Sequence, residues 1–175
     1  MITRDDVDNY LRKTMERICG SNTSLGDVTL PAERLFQPTS SFRDFRDSLG
    51  EPRSTARCRR LRISPFHANS LEHRFELATW PDFEFVVFEA PDGSAWGEHF
   101  VRALESAAQP IRSVHDVGRW SHTLTEVGAF LGPPVWEESW TPWTTATFRF
   151  NDGQFALCFV FELLQAVTPV TIPGH

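Results

Sequence analysis

Apolar residues first recur at helical spacing and later at alternate positions. Val7, Tyr10, Leu11, Met15 and Ile18 share one helical face; Thr3 can cap that helix, Asp5 and Asp6 sit in its positive first turn, and Gly20 can end it. Residues 21–38 hold no sustained period and read as a loop. Ser40 or Ser41 then caps a short helix carrying Phe42, Phe45 and Leu49, with Gly50 at its end and Pro52 preventing continuation. Three strands are expected next, at 56–63, 73–80 and 83–90, the last two joined by a tight turn at Pro81 and Asp82. Phe100, Val101, Leu104 and Ala108 predict a helix over 96–108, and a second helical stretch leads to Thr123.

Thr123 and Glu126 form a capping box ahead of Val127, Phe130 and Leu131, and Gly132, Pro133 and Pro134 stop that helix. Residues 135–143 read as an edge strand, because Pro142 cannot donate to a ladder. Phe-rich segments on both sides of Asn151, Asp152 and Gly153 predict a hairpin, and the tail from Ala166 is expected to be extended or loose.

The grammar occurs twice. Leu49-Gly50 and Leu131-Gly132 lie 82 residues apart, and each ends a short helix before Phe-rich strands. The pattern predicts one α+β domain over 1–175 with an internal repeat, 1–90 and 91–165. Two similar helix-helix-three-strand halves would form one antiparallel sheet with helices packed on one face. The opposite face, or part of it, would be left to bind something.

Charge adds an asymmetry. The net charge is −6, and residues 91–175 carry 9 acidic against 4 basic groups, so that half favours a basic protein partner over nucleic acid or an anionic membrane. The acidic N-terminus is unlike a signal peptide, and no apolar run would span a bilayer. Cys19, Cys58 and Cys158 are odd in number and far apart, which supports neither a disulfide framework nor a zinc site. Together these point to a reduced, cytoplasmic protein, monomeric or weakly dimeric.

Catalytic chemistry finds little footing. No nucleophile elbow, phosphate loop or dinucleotide fingerprint is present. His115 and His122 would share a face only in an unbroken helix, which Gly118 opposes, so neither a metal nor another cofactor is expected. Glu72-His73 and Glu98-His99 are sequence neighbours whose side chains point apart. Arg53, Arg57, Arg59, Arg60 and Arg62 fit an edge strand guarded by charge, with phosphate or acidic-partner binding as the alternative. The sharpest candidate is an aromatic-acidic patch of Trp136, Glu137, Glu138, Trp140 and Trp143, since Trp is enriched at interface hot spots.

With its two Leu-Gly-x-Pro stops, the pattern over 40–163 resembles the tandem-repeat β-lactamase inhibitory proteins and their single-repeat relatives in outer-membrane lipoproteins. Those relatives are exported and the inhibitors carry disulfides, so target and compartment do not transfer to this chain. In size and composition the chain is also similar to bacterial toxin-immunity proteins. The resemblance implies a non-enzymatic binding module, an immunity-type inhibitor that covers the active site of a basic toxin or enzyme. The competing expectation is a small-molecule-binding domain or enzyme with its site between helices and sheet.

Overall fold

Short helices and hairpins with strongly specified ends build the chain. The computed structural model describes residues 2–19, 36, 40–58, 69–140 and 142–170. It divides into two compact units, one of residues 1–13 and 24–103, the other of 14–23 and 104–175.

Helix α1 (Arg4–Cys19) begins in the first unit, where Thr3 and Asp6 exchange hydrogen bonds at its start and Val7 and Leu11 are fully buried. Helix α2 (Phe42–Leu49) opens with a reciprocal box between Ser41 and Asp44. It ends at Gly50, whose φ of 83° suits a residue without a Cβ. Strands β1 (Ser54–Arg57), β2 (Leu71–Glu76), β3 (Phe83–Glu89) and β4 (Ala95–Arg102) follow and pair in sequence order as an antiparallel meander. Phe42, Phe45 and Leu49 of α2 are buried, as are Phe75, Phe85, Val87 and Phe100 on one face of the sheet.

In the second unit one α-helix precedes four strands. Helix α3 (Leu124–Leu131) has its own box between Thr123 and Glu126 and ends at Gly132, φ 84°. Strands β5 (Trp136–Trp140), β6 (Trp143–Phe150), β7 (Gly153–Val160) and β8 (Leu163–Pro169) form a second antiparallel meander. Its core is Ala146, Phe148, Phe150, Leu157, Phe159 and Leu164, joined by Val127 of α3 and by Ile111 and Val117.

The expectation of one sheet shared by two helix-helix-three-strand halves is therefore wrong. There are two four-stranded sheets, and three α-helices among the described residues. Two misread segments explain it. Residues 96–108 are strand β4 and its exit, not a helix. Residues 91–94 turn the chain back, with Ala90 N–H donating to Ser94 O, and Phe85 then faces Phe100 across the ladder. Cross-strand packing overrides the helical spacing of the apolar residues. The tail expected from Ala166 begins within strand β8 (Leu163–Pro169), which is reached through a two-residue turn in which Phe161 and Glu162 both take positive φ, 49° and 63°. The helix expected before Thr123 is, among regular elements, only a 3-10 turn, Val114–Asp116. Most of the loop over 21–38, and Arg59, Arg60 and Arg62 of the basic cluster, lie outside the described residues.

Candidate functional site

Strand β5 follows the Gly132-Pro133-Pro134 stop and stands at one end of its sheet, paired among the described residues only with β6. All five of its residues are exposed. Strand alternation puts Trp136, Glu138 and Trp140 on one face, with Glu137 and Ser139 on the other. Trp143 pairs directly with Trp140 and so joins the first face from β6, half-buried. The structure thus gathers Trp136, Glu138, Trp140 and Trp143, and sets Glu137 on the side that carries buried Ala146 and Thr144 on β6.

Trp136 is 50% exposed and Trp140 69% exposed, large values for indole rings. Trp140 Nε1 donates to Glu138 Oε1 at 3.2 Å, which orients the carboxylate beside the ring. On the other face Ser139 Oγ and Thr144 Oγ1 are 2.8 Å apart and tie β5 to β6. Between Arg119 and Arg149 the sequence has no lysine or arginine, whereas Glu126, Glu137 and Glu138 fall in that interval. Sequence reasoning missed Val135 and Phe130, which are 55% and 42% exposed. Phe130 lies on the expected apolar helix face, so spacing alone could not reveal it.

The first unit holds the other polar constellation. His73 is buried, with Nδ1 2.9 Å from Thr55 Oγ1 and Nε2 2.7 Å from Glu89 Oε2. Phe42 of α2 stacks on its ring at 3.6 Å. The partner of His73 is therefore Glu89 on the next strand rather than its neighbour Glu72, which a ladder register, and not sequence adjacency, decides. On the opposite face of that sheet Glu84, only 1% exposed, accepts from Arg74 at 3.1 Å and lies 3.4 Å from Arg53. Arg53 also reaches Glu76 at 2.8 Å, so part of the basic cluster neutralises carboxylates of its own sheet. Glu98, on the same face as His73, is pushed up to about 7 by loss of solvent.

The two histidines weighed as a metal pair have different surroundings. His122 is buried and its Nε2 donates to the Gln109 carbonyl at 2.8 Å; His115 is exposed in the 3-10 turn. Among the described residues no group of three His, Cys, Asp or Glu side chains is arranged to hold a metal ion. Cys58 is a free thiol but Cys158 is disulfide-bonded, which corrects the expectation that no cysteine pairs. No described helix is long and apolar enough to cross a membrane. Comparison with protein-family models, with curated proteins and with solved structures finds no match to this chain.

Proposed function

We propose that this chain is a non-enzymatic protein-binding module, an immunity-type inhibitor that covers the active site of a basic toxin or enzyme. One observation carries the reading: two exposed Trp rings flank a carboxylate on the open end strand of a sheet. Exposed indoles lose contact with water favourably on binding and are the commonest hot-spot side chains. Glu137 and Glu138 add a field that speeds encounter with a cationic partner and disfavours acidic ones.

The test is surface-plasmon kinetics against the protein encoded beside this one, with folding of each variant checked by circular dichroism. Replacing Glu137 and Glu138 by Gln should slow association and flatten its salt dependence. Trp136→Ala or Trp140→Ala should instead speed dissociation, by roughly 2 kcal/mol or more. Unchanged kinetics in all these folded variants would remove β5 from the interface.

A second reading, of a site between helix and sheet, draws on the chain Thr55, His73 and Glu89 beneath Phe42. A hydroxyl, an imidazole and a carboxylate in hydrogen-bond sequence can move a proton. The same three groups also satisfy a buried imidazole, which is their structural role. Screening ester substrates with the wild type and His73→Gln separates the two: hydrolysis lost in a folded variant supports a site.

A further inference from the structure

The binding reading leaves open how a partner would engage so narrow a surface. Resting on that reading, we propose that the occupant of β5 is an extended segment of the partner. It adds as a fifth strand to the second sheet and carries Lys or Arg at alternate positions facing Trp136, Glu138 and Trp140.

Backbone comes first. The sheet runs β5-β6-β7-β8, so the edge of β5 away from β6 is not covered by another strand of the sheet. End strands ordinarily blunt that edge with lysine, proline or an inward charge, because it templates pairing with another chain. Trp136–Trp140 has no proline, no glycine and no basic residue, and its one charge on the core-facing side, Glu137, stands exposed at the rim. Its side chains instead enrich the edge with the two residue types that favour a cationic strand.

The spacing also fits. Alternate residues of a strand stand about 6.8 Å apart on one face, and directly opposed residues approach to about 5 Å. Trp136, Glu138 and Trp140 therefore present indole, carboxylate and indole in a row with the repeat of a second strand's own side chains. A cation opposite Glu138 pairs with a carboxylate already oriented by Trp140 Nε1 at 3.2 Å. Cations at the neighbouring alternate positions meet the indoles, the aromatic rings that attract cations best. A contiguous basic run would turn every second charge away from this face. A second copy of this chain fits poorly: antiparallel pairing centred on Glu138 opposes carboxylate to carboxylate and brings no cation to either.

The experiment uses the full chain and a synthetic ten-residue peptide alternating Arg with Thr and Val, followed by Trp fluorescence and by hydrogen exchange. Two further peptides carry backbone N-methyl groups at all odd or all even positions, and a fourth has the same composition with its arginines contiguous. Strand addition expects one methylation register to abolish binding and the other to be tolerated, because alternate backbone groups face opposite edges. It also expects the contiguous peptide to bind at least about tenfold more weakly, and Trp140→Ala or Glu138→Gln to lose roughly tenfold or more. Amides of β5 should gain protection with the alternating peptide. Equal binding of both methylated peptides, with the Trp dependence kept, would overturn strand addition and leave the side-chain patch as a protein-binding site. No binding of the alternating peptide would overturn the inference alone, since the kinetics against the neighbouring protein decide the binding reading separately. Dimerisation of the chain that Trp140→Ala abolishes, with no peptide binding, would name a second copy as the occupant and overturn it too.

Discussion

Strands β1 and β5 begin 82 residues apart, each four residues after its capped helix and each at the end of a four-stranded meander. Both are exposed along their whole length. One reads Ser-Thr-Ala-Arg, the other Trp-Glu-Glu-Ser-Trp. The same position in the architecture thus carries small and polar side chains in one unit and two indoles with two carboxylates in the other. The interiors differ in the opposite sense. The first sheet buries ionisable side chains, His73 and Glu84, held by partners on adjoining strands. The second sheet buries Thr144, Thr147 and Gln165 but, among the described residues, no ionisable side chain. Architecture alone therefore does not set how a sheet is furnished; the first buries ionisable side chains, and the second keeps its own, Glu137, Glu138 and Arg149, exposed.

The largest effects should be blind to that difference. Phe85→Ala and Phe159→Ala each empty a fully buried site in one of the two sheets, and each should cost about 3–5 kcal/mol in urea unfolding. A loss confined to one of them would break the symmetry of the cores. Next comes Glu98, which belongs to the first sheet. Its pKa rises from 4.5 to about 7 on folding, so below about pH 4.5 it is neutral in both states and costs nothing. Stability is then lost as pH rises toward 7, up to roughly 3 kcal/mol. Glu98→Gln should flatten that slope and stabilise the protein at pH 8, and an unchanged pH profile would refute the assignment.

Smaller effects bear on the end strands. The two caps are equivalent in geometry, so Ser41→Ala and Thr123→Ala should each cost about 1 kcal/mol, measured by thermal unfolding. Trp140→Ala and Ser54→Ala should each leave unfolding within roughly 0.5 kcal/mol if exposure is the rule for both strands. Only the first should weaken partner binding. Non-reducing peptide mapping, which carries no energetic expectation, should find Cys158 in a disulfide and Cys58 free. Cys158 found as a free thiol would restore the reduced state that the spacing of the cysteines suggested.

Elements with local causes were legible in the sequence. Both capping boxes, both glycine stops and the β6–β7 hairpin arise from contacts within a few residues, and their side chains announce them. Strand β4 was not legible, since Phe100, Val101 and Leu104 keep helical spacing while Leu104 in fact stands 83% exposed. Strand β8 was hidden because its turn puts Phe161 and Glu162 at positive φ, where Gly or Asn would have signalled it. Missing a fourth strand in each unit made one shared sheet look necessary; which strands join is fixed by pairings distant in sequence. The patch on β5 was legible from composition and strand parity. Its division into two faces was too, but the approach of Trp143 needed the register of the β5–β6 ladder.

Because every strand in each meander pairs with the strand next to it in the chain, the ladders close over short stretches. Such connectivity loses little entropy per loop and places the protein among the faster-folding β-rich chains. During synthesis the first meander has all four of its strands before β5 is made. The edge of β5 with its two indoles then emerges ahead of β6, so for a short time that strand lacks its own neighbour. Its two carboxylates, Glu137 and Glu138, repel a second nascent copy during that interval and so guard against edge-to-edge pairing before the sheet closes.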